Sequence, residues 1–272
     1  MLDLEELSLH QEIASLRAQG KSVYDLHSHT QYSDGLRSPE TMVRTAYELG
    51  LSGIAITDHD STDSYERACA EAAKYDDFMI IPASEVSSGA GHVLAYGIRE
   101  ELPAGLPLTE TTERIHAQGG VAVAAHPYSA NLGTQDPFDL DNIEEAELAL
   151  LDGIEVYNSS VLFPGNANEL ASALADKYQL ARLGGSDAHY AWSLGTGLTV
   201  MPETHTVDGF LQNIRDRKSE GHKPAVNDRF GTKVHRYLDY FVGGIPRAFM
   251  FIANQIRERY LDPPQGEVLP EE

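Results

Sequence analysis

Short aliphatic runs recur along this chain: "SVYDLHS", "GIAITD", "FMIIPASEV", "HVLAYGI", "VAVAAHP", "GIEVYN", "ARLGGSD" and "GLTVMP". Runs this short and this rich in Val, Ile and Ala read as buried strands. Helix-like stretches separate most of them, at 39–49, 63–75, 108–118, 167–178 and 207–219, so the alternation predicts an α/β fold with a largely parallel sheet. Ser38-Pro39-Glu40 is a helix opening, with a capping hydroxyl and proline at the first helical position. Only "SSGAG" lies between the third and fourth runs, too little for a crossover helix. That pair is expected to be an antiparallel hairpin or a strong bend, and the barrel to be irregular rather than a regular eightfold one. A chain of 272 residues can bury one large core, so two full domains are not required.

The runs share a second property. Most of them end in His, Asp or Glu: "DLHSH", "AITDHD", "IIPASE", "AVAAHPY", "LGGSDAH". In a parallel barrel the C-terminal strand ends converge on one face, so residues far apart in sequence meet there. Residues i and i+2 of a strand share a face, which lets His27 and His29 point into the barrel mouth together. Asp187 and His189 repeat that spacing behind "GG", where the backbone can approach closely. Glu85 follows a mostly apolar run, where an unpaired carboxylate would be costly to bury. His59 sits between Asp58 and Asp60, either of which could orient its ring. His126 ends "VAVAAHP", and His92 follows Glu85 closely enough for the hairpin to bring them together. Convergent imidazoles and carboxylates are what divalent cations need. The other histidines, His10, His116, His205, His222 and His235, read as surface residues.

Cys69 is the only cysteine, which excludes an intrachain disulfide and a thiolate cluster, so any metal must sit on nitrogen and oxygen. Asp and Glu outnumber Lys and Arg by 42 to 20, which argues against a basic surface for long duplex nucleic acid. The N-terminal stretch lacks a basic region followed by an apolar core and reads as an acidic amphipathic helix, so a cytoplasmic location is the default expectation. "PFDLDNIEEAEL" reads as a solvated loop and helix start rather than a calcium loop. Past Gly221 the pattern changes. Ile245, Phe249, Ile252, Ile256 and Tyr260 fall at helical spacing, a stripe expected to dock on the barrel, and the tail after it reads as disordered. The apolar part is too short and interrupted to span a bilayer.

The motifs "DLHSHTQYSDG", "ITDHD", "SEVSSGAGHVLAYG", "AHPY", "DGIEVYN", "GGSDAH" and "LGTGLT", in that order, resemble the PHP family, the polymerase and histidinol phosphatase domain. The resemblance implies a distorted, TIM-like (β/α)7 barrel over 23–222, preceded by an N-terminal helix at 1–22 and followed by a short helical extension at 223–272. It implies two or three divalent metals, Mn, Zn or Fe. His27, His29, Glu85 and Asp187 would hold the first, and Glu85, His92 and His126 the second, with Glu85 bridging. Asp34, His59 and His189 would hold a third if it is bound. The implied chemistry is hydrolysis of a phosphate ester of a small molecule or nucleotide by a metal-activated hydroxide, with Glu85, Asp187 and His189 as catalytic residues. Arg37, Tyr128 and Asn158 are candidate substrate contacts. Tyr157 stands beside them in "EVYN". Oligomeric state and exact substrate stay open.

Three alternatives remain at this point. An exonuclease acting on short oligonucleotides would use the same chemistry. An amidohydrolase would use a carboxylated lysine at a strand end, but none of the six lysines ends an aliphatic run. A non-catalytic metal-binding scaffold would lack ligands, and here every candidate position carries one.

Overall fold

The computed structural model describes residues 4–128, 145–160 and 167–225. The "PFDLDN" part of the acidic segment and the C-terminal stripe from Ile245 to Tyr260 lie outside them.

Two five-stranded sheets form the body. In the first, β1 (Lys21–Asp25) pairs parallel with β2 (Gly53–Ala55), which pairs parallel with β3 (Met79–Ile81). On its other side β1 pairs antiparallel with β9 (Leu198–Pro202), which carries β10 (Glu220–His222) at the edge. The second sheet runs β4 (Ala83–Ser88), β5 (Gly91–Tyr96), β6 (Val121–Ala124), β7 (Gly153–Asn158) and β8 (Ala181–Gly185). Here β5 pairs antiparallel with both β4 and β6, and β6, β7 and β8 are parallel.

The strand pairing among the described residues therefore forms two sheets and no closed barrel. One physical cause lies in "FMIIPASEV", expected as a single strand. Pro82 has no N–H to give a ladder, and the run breaks there into β3 of one sheet and β4 of the other. The hairpin expectation holds: β4 and β5 pair antiparallel from Ala83↔Tyr96 to Ser88↔Gly91. The two sheets are stitched by isolated parallel bridges, Ser28↔Ala188 beyond the ends of β1 and β8, and His59↔Glu85 between the segment after β2 and β4.

Helices cover the sheets: α1 (Leu4–Ala18), α2 (Pro39–Glu48), α3 (Tyr65–Ala72), α4 (Leu108–Ala117), α5 (Glu145–Leu148), α6 (Ala167–Tyr178) and α7 (Val207–Arg215). In α2 the Ser38 hydroxyl accepts from Thr41 N and Pro39 opens the first turn, so the local sequence fixes where the helix starts. The N-terminal helix docks through Leu9 and Ile13 against Val23, Met42 and Leu49. Its Glu12 also ties the last strand, accepting from His222 Nε2 at 2.6 Å and from Ala225 N at 3.1 Å.

The floor beneath the strand ends joins both sheets. Tyr24, Ala55 and Ile81 from the first meet Leu94, Tyr96, Val123 and Leu183 from the second, with Phe210 of α7. Phe210 stands edge-on to Tyr24 and Tyr96, at 5.5 and 5.9 Å between ring centres. Burying side chains of this size contributes roughly 1.5–3 kcal/mol each. Tyr96 also donates its hydroxyl to Leu26 O at 2.9 Å, bracing the backbone just before His27.

Candidate metal centre

Glu85 and His92 lie within the β4–β5 ladder, whereas the other ligands follow the ends of their strands or sit in loops. β1 ends at Asp25, and the chain then runs out through Leu26 to His27, Ser28 and His29. This extension is clamped to the segment after β8: Asp187 N donates to His27 O, and His29 N to Ala188 O, both at 2.8 Å. Gly185 makes the approach possible, because a Cβ there would lie 2.5 Å from His27 Cβ and 2.7 Å from Glu155 Oε1. Gly35 plays the same part in the next loop, where a Cβ would sit 2.3 Å from His29 O.

All nine sequence-predicted ligands converge at this mouth. Glu85 is the centre, with its side chain only 1% exposed. Its Oε2 lies 3.2 Å from both His27 Nε2 and His29 Nε2, and its Oε1 lies 2.9 Å from His92 Nδ1 and 3.1 Å from His126 Nε2. Asp187 Oδ1 lies 3.5 Å from His27 Nε2 and 3.2 Å from His29 Nε2. On the other flank, Asp34 faces His59 Nε2 at 3.5 Å, His189 Nε2 at 3.3 Å and His29 Nδ1 at 3.5 Å. The groups His27–His29–Glu85, His59–Glu85–His92 and His29–Asp34–His59 each bring their ligand atoms within 4.8 Å of one another.

Glu155, which the strand-end pattern does not single out, supports this arrangement from behind. It is 1% exposed on β7. Its Oε1 takes the His27 Nδ1 hydrogen at 3.1 Å, while Oε2 accepts from His126 N at 2.8 Å and from Asn158 Nδ2 at 3.1 Å. With Nδ1 engaged, His27 can present only Nε2 to a cation. His126 sits at φ 26°, and Asp187 at φ 54°, in the left-handed region that side chains rarely adopt. Such strain persists where surrounding contacts hold it, as Glu155 does at His126.

Asp25 and Asp58 act on the loops. Asp25 is fully buried and accepts from Ser186 N at 3.0 Å and from Gly195 N at 2.8 Å. Burial outweighs these donors and raises its pKa to about 6. Asp58 does not orient His59 as expected; it accepts from Thr30 N, Thr30 Oγ1 and Ser33 Oγ at 2.7–2.8 Å and so shapes the Asp34 loop. Asp60 takes Ser87 N at 2.7 Å.

The three candidate substrate contacts fare differently. Asn158 is 2% exposed, and its amide is spent on Glu155 and on Ser160 N. Tyr128 packs against the core cluster around Val86 and Leu151. Arg37 is half-buried in the loop that carries Asp34, where its carbonyl accepts from Gln31 N.

The donor set fits divalent cations. It consists of nitrogen and oxygen only, and the buried Nδ1 atoms of His29 and His59 make no hydrogen bond, although each lies 3.4–3.5 Å from a carboxylate oxygen. Without a cation, protons must supply the positive charge. Burial opposes charge on His27, but Asp187, Glu85 and Glu155 outweigh it and hold the imidazole well above its ordinary pKa. Burial opposes charge on His29 too, yet its pKa is raised to about 10, with Asp34 the leading carboxylate. Reciprocally, burial of Glu85 is overcome by His27, His92 and His59, which keep it ionised far below its usual range. A cation bound here would take over the role of those protons.

Comparison with known proteins identifies the family. The PHP domain profile matches residues 25–95, and the PHP-associated profile residues 165–219. An uncharacterised protein of Methanocaldococcus jannaschii, MJ1587, is 34% identical over 152 residues, 50% of this chain and 81% of that one. The 5′-3′ exoribonuclease Rnm of Salmonella typhimurium is 39% identical over 103 residues, 36% of this chain and 35% of that protein. A two-domain protein of Bacteroides vulgatus containing a predicted PHP-like metal-dependent phosphoesterase superposes with a TM-score of 0.62 at 19% identity, covering 80% of this chain and 70% of that one. The chain belongs to the PHP family, whose homologues include phosphoesterases and nucleases, hydrolases acting on phosphate ester bonds.

Proposed function

We propose that this protein is a metal-dependent phosphoesterase that hydrolyses the phosphate ester of a small molecule or nucleotide at the Glu85 cluster. The observation that carries the reading is the position of Glu85 between two pairs of imidazoles, His27 and His29 on one oxygen, His92 and His126 on the other. That arrangement supports reading Glu85 as a bridging ligand. His27, His29, Glu85 and Asp187 would hold one cation, Glu85, His92 and His126 a second, and Asp34, His59 and His189 a third where it binds. Divalent cations held there would polarise phosphoryl oxygens and acidify an attacking water.

The chain's own groups take the remaining roles. His189 donates Nδ1 to Asp187 O at 3.0 Å and turns Nε2 toward Asp34, so it serves as a ligand. Asp187 is the most open of the three ligand carboxylates, 13% exposed against 8% for Asp34 and 1% for Glu85; burial is overcome by His27 and His29, which hold it ionised, so it would take the proton that the attacking water gives up and pass it to the leaving alkoxide. Arg37 is the nearest cation for the substrate phosphate in sequence terms. The catalytic unit is taken as 23–222, and the bridges Ser28↔Ala188 and His59↔Glu85 support reading its two sheets as a distorted (β/α)7 barrel closed at the site end. No helix among the described residues is long and apolar enough to cross a membrane.

A second reading, an exonuclease on short oligonucleotides, draws on the match to the exoribonuclease. A screen with Mn²⁺ decides between them, with phosphate release read from nucleotides, nucleoside bisphosphates, sugar phosphates and histidinol phosphate on one side, and mononucleotide release read by chromatography from 5′-phosphorylated oligonucleotides on the other. Release from small esters supports the proposal. Mononucleotide release from oligomers alone favours the exonuclease, and release from none of these overturns both.

A further inference from the structure

Trp192 is the single tryptophan of the chain and is 45% exposed. It is not an isolated surface ring. It lies on the short 3-10 turn Ala191–Ser193, three residues after His189, so its backbone is within about 11 Å of that candidate ligand. The segment is held firmly. His189 O accepts from Leu36 N at 2.8 Å, which ties it to the Asp34 loop, and Gly195 N donates to Asp25 at 2.8 Å. The Trp192 ring stacks on Tyr190 at 4.2 Å and 12°, and Tyr190 is buried to 8% exposure. Tyr47, the other exposed aromatic among the described residues, stacks instead on Tyr75 and lies near the far end of α2.

A single exposed apolar side chain is ordinary on a protein surface, so the placement of this one is what matters. It is braced by a buried tyrosine, on a segment tied to the Asp34 loop and to the end of β1 just before His27. We infer that Trp192 is a stacking platform for the nucleobase of a nucleotide substrate whose phosphate enters the Glu85 cluster. This names the substrate class of the proposed phosphoesterase and rests on that reading. Stacking also suits this chain electrostatically: with a formal net charge of −22, it gains affinity for a nucleotide without needing a basic surface. Any base presents a π-face, so the platform selects for a base over a bare sugar more than between bases.

The test compares 5′-AMP with ribose 5-phosphate, both assayed by phosphate release from the metal-loaded full chain. Wild type should prefer 5′-AMP in kcat/KM. Trp192→Ala should lower that preference by about five- to a hundredfold, chiefly through KM, and Trp192→Phe should restore most of it. Because the chain has one tryptophan, its emission reports the site directly. Rapid mixing with 5′-AMP should quench it before turnover, and ribose 5-phosphate should not. No preference in wild type, an unchanged ratio in Trp192→Ala, or equal quenching by both esters would overturn the inference while leaving the phosphoesterase reading intact. If neither ester is hydrolysed, the activity reading fails for these substrates and the quench alone decides the platform: a 5′-AMP-specific quench supports it and its absence refutes it.

Discussion

Replacing Glu155 by Gln tests how the protein prepares its imidazoles. The change is nearly isosteric and removes one charge, but its force lies in hydrogen-bond polarity. In the native site Oε2 accepts from both His126 N and Asn158 Nδ2, and Oε1 accepts from His27 Nδ1. If the amide oxygen of the new side chain in Glu155→Gln keeps the first two donors, its NH₂ faces His27. The imidazole must then accept at Nδ1 and carry its hydrogen on Nε2, the atom that lies 3.2 Å from Glu85. Flipping the amide instead points NH₂ at two N–H donors and leaves both unsatisfied, at about 1–3 kcal/mol each. In the first case the cost falls on His27 and the first metal position, and in the second on the backbone of His126, a ligand of the second. Loss of such a supporting carboxylate typically weakens metal binding by about 10–100-fold, and the tautomer argument places this one near the upper end, about 2.7 kcal/mol. Competition with a fluorescent chelator for Mn²⁺ or Zn²⁺ measures it, with circular dichroism confirming that the variant is folded. Affinity within twofold of wild type in a folded variant would refute the claim that Glu155 sets the His27 tautomer.

Further outcomes follow from the same geometry. Binding of a cation should release protons at neutral pH, because His27, His29 and His189 are held protonated in the metal-free site by their carboxylates. Affinity therefore rises with pH toward the His29 value of about 10 and falls on acidification; calorimetry in buffers of different ionisation enthalpy should show net release, and zero release at pH 7 would contradict it. Asp25→Asn should destabilise the metal-free protein by about 1–3 kcal/mol by setting an amide against the N–H groups of Ser186 and Gly195. The folded Asp25 pKa of about 6 exceeds the unfolded value of about 3.9, so wild type gains stability as pH falls from 6 toward 4, and the penalty should widen over that window in thermal melts. A penalty that shrinks there counts against the assignment. Gly185→Ala should cost about 1–3 kcal/mol through overpacking against His27 and Glu155, seen as a lower melting temperature; an unchanged melt would mean that the close approach is not needed.

Much of the site was legible because its ligands fall just past aliphatic runs, where sequence pattern alone marks a strand end. His27, His29, His59, His126, Asp187 and His189 are all of this kind. Glu155 lies inside "GIEVYN" rather than at its end, so the strand-end pattern passes over it. The argument applied to Glu85, that a carboxylate in an apolar run needs a partner, would have found it, and Asp25 as well. The hairpin and the cap at Ser38 follow from local chemistry and hold. The sheet division does not follow from periodicity, since a buried run reads the same whether its neighbour is parallel or antiparallel, as with β9 against β1. Pro82 was the one local sign of a break, inside a run otherwise apolar enough to pass as a single strand.

The central claim is that the Glu85 cluster is a multinuclear cation site, and elemental analysis tests it most directly. Protein purified without chelator, then supplied with Mn²⁺ or Zn²⁺ and desalted, should retain two or three equivalents, falling in Glu85→Gln while the fold persists. Retention of no metal by the folded wild-type protein would contradict the account.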